Sequence, residues 1–134
     1  MTNINSLGVS CDERDVSDVR KTQLGLEFLK SLNPVDFRSD SRSLYTDVTD
    51  NGLRVLPKDG SRKGDNFHHG FIPQDLQKLI SPHPFGGLVS GYNNGFDTLS
   101  VNYNEFISPI VRSIQELAEE NAALKREIEL LKNK

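Results

Sequence analysis

Cysteine and apolar bulk are both scarce in this 134-residue chain, and each shortage has a consequence. Cys11 is the only cysteine, so no intrachain disulfide forms and no thiolate-rich zinc site can be assembled. Ala, Val, Ile, Leu, Met, Phe, Cys and Gly together make up about 40% of the residues, below the roughly 45–50% of an ordinary soluble domain. A core this lean offsets little of the ordering entropy of a lone chain, which makes self-association an early expectation. The length excludes two independent cores, and with them a multidomain enzyme.

Basic excess is missing too. The formal net charge is -3, and Lys58, Arg62 and Lys63 form only a local cluster, so no electrostatic footprint for nucleic acid is expected. No window approaches eighteen consecutive apolar residues, which argues against a membrane partner, and Met1-Thr2-Asn3-Ile4-Asn5 lacks the basic and apolar regions of a secretory signal. The loops Gly60–Gly64 and Gly86–Gly91 do not end in the Gly-Lys-Ser/Thr of a phosphate cradle, so no nucleotide cofactor is expected. His68 and His69 are adjacent, on opposite faces if extended, and His83 stands alone between Pro82 and Pro84; one packed and one exposed histidine is a better expectation for the pair than a metal site.

What is present is a break in composition. All ten glycines fall between Gly8 and Gly95 and all eleven aspartates between Asp12 and Asp97, whereas the three alanines are Ala118, Ala122 and Ala123. Turn formers thus give way to helix formers near residue 103, which divides the chain into a body, 11–103, and a helical tail, 104–134. Asn104 is the candidate N-cap, with Pro109 just beyond the first turn.

The tail carries the clearest periodicity. Ile107, Ile114, Asn121 and Ile128 fall at heptad position a, and Ile110, Leu117, Leu124 and Leu131 at d. Glu120 with Lys125, and Glu127 with Lys132, occupy g and the following e, where they pair between parallel chains. The competing reading, an amphipathic helix lying on its own core, usually shows a wider apolar stripe. Ile at a with Leu at d leans toward two strands, and Asn121 in the seam is a device for register and oligomer choice.

The body reads as α+β. Leu24, Leu26, Phe28, Leu29 and Leu32 before Asn33-Pro34 predict a short helix, and Val35 to Phe37 an extended segment. Leu44–Val48 and Leu53–Leu56 flank the turn Asp50-Asn51-Gly52 in a polar, core-poor loop, 38–66. Phe67–Ile72 predicts a strand, Gln74–Ile80 a helix after Pro73, and Leu88–Tyr92 with Thr98–Asn102 two strands joined across Asn93-Asn94-Gly95. One stretch carries nucleophiles, Ser10-Cys11-Asp12-Glu13-Arg14, whose nearest lysine is Lys21; an ordinary N-terminal loop competes with that chemistry.

Several segments together resemble a known family. Asp12-Glu13-Arg14, Ser17-Asp18-Val19-Arg20, Leu24-Gly25-Leu26-Glu27-Phe28-Leu29 and Leu32-Asn33-Pro34-Val35 resemble the start of the intramolecular chaperone domain of phage endosialidases, tail fibres and neck appendages, a family also classed as self-cleaving peptidases. The similarity continues through Lys63-Gly64-Asp65-Asn66-Phe67-His68-His69-Gly70-Phe71-Ile72-Pro73-Gln74 and resumes from Leu99 to Val111, running into Ile114-Gln115-Glu116-Leu117. The resemblance implies a homotrimer whose C-terminal helix forms a parallel coiled coil, a fibre or spike shaft as client, and action in the host cytoplasm during virion assembly. It also implies release from the fibre tip by self-cleavage, and polar loops such as Arg38 to Asn66 that reach along the client. Three strands in a bundle accommodate an Asn at a, so the family favours trimer over the dimer lean.

In the family a serine is followed directly by Asp, an arginine stands two residues after that Asp, and a lysine five residues after the serine. Laying Asp12 and Arg14 on that motif puts Cys11 at the serine and Val16 at the lysine. Candidate nucleophiles are therefore Cys11 and, with a one-residue shift, Ser10, with Lys21 as the candidate base. Residues 1–10 read as a remnant around the cleavage junction, and the chain as either an excised C-terminal piece or a separate product acting in trans. A coiled-coil tip that is retained and has no peptidase activity is the alternative.

Overall fold

The computed structural model describes residues 11–80, 85–91 and 98–134. Its elements are α1 (Leu26–Ser31), β1 (Val35–Arg38), β2 (Thr46–Thr49), β3 (Gly52–Val55), β4 (Phe67–Gly70), α2 (Pro73–Leu79), β5 (Leu88–Gly91), β6 (Thr98–Val101) and α3 (Ile107–Lys132), with 3-10 turns at Glu13–Asp15, Arg42–Tyr45 and Tyr103–Phe106. The fold is mixed helix and small antiparallel sheets with a long C-terminal helix. Among the described residues the strands pair as β1–β4, β2–β3 and β5–β6, each antiparallel and each alone.

Short elements of this kind are marginal by themselves and depend on what they pack against. The core is built largely of aromatic side chains. Leu24, Phe28, Leu76, Phe85 and Phe106 are buried together, with Leu29, Leu32, Phe71, Ile80 and Val101 packed around them. The Phe106 ring lies at the centre, 4.8 Å from Phe85 and 4.9 Å from Phe71 between centroids. Aromatic rings cover much area per residue, which lets a chain poor in aliphatic bulk still close a core. Phe106 stands in the 3-10 turn that leads into α3, so the helix grows directly out of the core.

The expected elements are present, with shifted ends. The helix predicted from Leu24 to Leu32 spans only α1. The strand predicted from Phe67 to Ile72 ends at Gly70, and Leu44 and Tyr45 belong to a 3-10 turn rather than to β2. In the β2–β3 hairpin Thr49 faces Gly52, so the turn residues are Asp50 and Asn51 and Gly52 already belongs to the strand. Gly52 has φ +113 with open space where a Cβ would stand, so backbone conformation rather than crowding favours glycine there. The turn expected at Asn93-Asn94-Gly95 lies outside the described residues.

The start of the long helix also differs from expectation. Asn102, not Asn104, is the capping residue: its side chain accepts from the Asn104 N–H at 3.2 Å and starts the 3-10 turn. The α-helix proper begins at Ile107, which places Pro109 inside the first turn, where its missing N–H leaves no helical bond unmade. From there α3 runs 26 residues, about 39 Å at roughly 1.5 Å per residue. Its first turns pack on α1, with Pro109 and Ser113 buried, and the Ser113 hydroxyl donates to the Pro109 carbonyl at 2.7 Å.

Glu116 locks this packing. Gly25, the N-cap of α1, has no side chain to satisfy the exposed amides of that helix. The carboxylate of Glu116 accepts from the Leu26 N–H at 3.2 Å and from Arg112 Nε at 3.0 Å. A Cβ on Gly25 would lie 2.2 Å from Glu116 Oε1, so glycine leaves the space in which the carboxylate reaches the helix N-terminus.

Candidate functional site

At the N-terminal junction, Asp12 and Arg14 are brought together and Cys11 and Lys21 are not. Asp12 caps the 3-10 turn by accepting from the Arg14 N–H at 3.0 Å, and its two oxygens accept from Arg14 Nε and Nη2, each at 2.9 Å. This fork holds the Asp12 carboxyl below the usual carboxylate range and pushes the Arg14 guanidinium up. Cys11 and Lys21 are both exposed, and among the described residues neither has a hydrogen-bond or ion-pair partner. Val16, where the resemblance would put a lysine, is a partly exposed hydrocarbon that can take no proton. Ser10 and the rest of the 1–10 segment lie outside the described residues.

The other chemistry-bearing expectations resolve plainly. His69 Nδ1 lies 2.5 Å from Asp36 Oδ1, across the β1–β4 pair, and His68 tilts against Phe37 with 5.9 Å between centroids. Both histidines are exposed, which corrects the expectation that one is packed: the β1–β4 pair stands alone and neither of its faces closes over a histidine. Among the described residues no group of three His, Cys, Asp or Glu side chains is placed to hold a metal; His83 lies outside them. Among the described residues no helix is long and apolar enough to cross a membrane.

The seam on α3 is where apolar side chains collect in the open. At about 100° per residue, Pro109, Ser113 and Glu116 face the body, whereas the seam centres about a quarter of a turn away. Ile107, Ile110, Ile114, Leu117, Leu124, Ile128 and Leu131 are all exposed, with Asn121 among them. The helix therefore uses one face for its own core and leaves the heptad face exposed among the described residues. These seven large apolar side chains form one exposed row, a kind of surface that commonly serves protein–protein contact.

That face is continuous with a groove of about 430 Å³ lined by Leu29, Leu32, Pro34, Phe71, Tyr103, Phe106 and Ile110. The Tyr103 hydroxyl accepts from the Phe71 N–H at 3.4 Å, and it approaches Gly70 so closely that a Cβ there would lie 2.1 Å from it. Ile110 belongs to both the seam and the groove. Sequence reasoning missed the groove; its only local signal is Tyr103 and Phe106 three residues apart just before the helix.

The 38–66 loop is a built arm. Tyr45, which is 2% exposed, donates from its hydroxyl to Asp40 Oδ1 at 2.6 Å and accepts from the Arg62 N–H at 3.0 Å. Lys58 Nζ pairs with the other Asp40 oxygen at 3.0 Å, and Arg62 stacks over the Tyr45 ring while donating to the Leu44 carbonyl. The tyrosine hydroxyl first, then Lys58, hold the Asp40 carboxyl below its usual range; burial first, then Asp40, push the Tyr45 hydroxyl up. Beyond this knot the hairpin presents Val48, Leu53 and Val55 on one face, exposed by 86%, 72% and 80%, with Asp47 and Arg54 on the other. No protein-family model, curated protein or solved structure matches the chain.

Proposed function

We propose that this chain is a C-terminal intramolecular chaperone of a phage tail fibre or tail spike: it trimerises through α3 and brings three shaft chains into register so that their β-structure can form. The observation that carries the reading is the uncovered heptad face, set on a helix whose other face is anchored in the body. Threading three β-chains together has a large loop-closure cost, and tying their ends in a parallel bundle makes later pairing effectively intramolecular. The arm fits a client contact. Its hairpin offers exposed hydrocarbon and open strand edges, held out from the body on the Tyr45 knot.

Co-expression with candidate shafts tests this. Soluble trimeric shaft in the presence of the chain, and aggregate without it, is the expected result; a monomer at micromolar concentration by light scattering overturns the reading. Self-cleavage before release is part of the family resemblance, with Ser10 or Cys11 as nucleophile and Lys21 as base.

The second reading, a coiled-coil tip retained without peptidase activity, is favoured by Val16 and by the absence of a partner beside Cys11 among the described residues. Mass spectrometry of a longer polypeptide separates the two. A cut abolished by Ser10→Ala or Cys11→Ala supports release, and an intact chain after assembly supports retention.

A further inference from the structure

We infer that the apolar groove beside α3 is a socket for Val111 of a second copy, so that body and helix together form one interface in the parallel bundle. The inference rests on the self-association proposed above and says where the second copy is gripped. In a parallel bundle each g side chain meets the e side chain five residues later on its neighbour. Downstream this rule joins Glu120 to Lys125 and Glu127 to Lys132, opposite charges in both cases. Carried upstream by the same heptad, it joins Ser113 to Ala118 and Phe106 to Val111.

Each upstream pair fits what stands beside it. Ser113, at g, is already buried against its own body, and one of the chain's three alanines, Ala118, faces that crowded level. Phe106, at g, lines the groove together with the seam residue Ile110. Val111 lies on the opposite flank of the seam, at e, and is 49% exposed in the single copy. A charged pair at that level would face a hydrocarbon wall. A Phe106–Val111 pair instead extends the core of the body across the subunit boundary, and the same contact repeats at every junction of a closed ring. It also fixes the parallel orientation, because in an antiparallel pair the flanks meet e to e and g to g, and no Val111 reaches a groove.

Cross-linking of the full chain tests the socket. In a Cys11→Ser background, Val111→Cys combined with Leu32→Cys is expected to give covalent multimers under mild oxidation, whereas each single cysteine gives at most traces. A sample that sediments as an oligomer but cross-links no better with both cysteines than with one overturns the socket and leaves the bundle standing. A sample that sediments as a monomer at micromolar concentration overturns both. Independently, Val111→Glu is expected to weaken association about tenfold with the circular dichroism of the body unchanged, since the side chain is exposed in the single copy. Association equal to that of the unchanged chain also overturns the socket.

Discussion

At the scale of single residues, the arm is governed by one buried hydroxyl. Tyr45 gathers Asp40, Arg62 and, through Asp40, Lys58 around a point that has no aliphatic core of its own. The pH dependence follows from the direction of the Asp40 shift. Its folded-state carboxyl titrates lower than in the unfolded chain, so its contribution is complete above the ordinary carboxylate value of about 4 and is lost as the pH falls through the folded-state value. Tyr45 shifts the opposite way, so its contribution is complete below its ordinary value of about 10 and lost above it. Hydrogen exchange at the Arg62 and Leu56 amides, which bond to the Tyr45 hydroxyl and carbonyl, is expected to quicken relative to free amides on acidification below about pH 4. Asp40→Asn is expected to loosen the arm at neutral pH and to flatten that acid response.

At the scale of elements, the joint between α1 and α3 depends on Gly25 and Glu116. Glu116→Ala leaves the first amide of a six-residue helix without its acceptor. A loss of about 1–2 kcal/mol is expected, by analogy with removing a capping side chain. Glu116→Gln, which keeps an acceptor oxygen, should lose less; urea denaturation measures both. Gly25→Ala should resemble Glu116→Ala, because the carboxylate has to swing away from the new methyl. On the other face of α3, where the bundle is proposed, Asn121→Leu is expected to raise the thermal stability of that proposed assembly while broadening its distribution of oligomers, since an amide in an apolar seam trades stability for specificity. Leu124→Asp is expected to dissociate it. Sedimentation velocity reads both.

At the scale of the whole molecule, body and helix are one folding unit although composition divides them at residue 103. Phe106, Pro109, Ser113 and Glu116 all lie beyond that break, and all belong to the packing of the body. A chain ending after Tyr103 is therefore expected to lose the ring at the centre of its core, and with it the fold. That truncation cannot report on association alone. A chain ending after Glu119 keeps every one of those contacts and drops the seam from Asn121 onward; circular dichroism should find it folded, and light scattering should find it dissociated relative to the full chain.

Local periodicity and turn chemistry were enough to foretell the heptad over α3, the Asp50-Asn51-Gly52 hairpin and the helix that Pro73 opens. These depend on side chains three to seven residues apart or on one φ angle, and such information is complete within a short window. The remaining features came from long-range packing. That Tyr45 is buried, that Glu116 caps a helix 90 residues upstream, that the seam turns away from the body and that Phe71, Tyr103 and Ile110 share a groove are all contacts between residues far apart in the chain. No local pattern encodes them, because each exists only once folding has placed the two partners against each other.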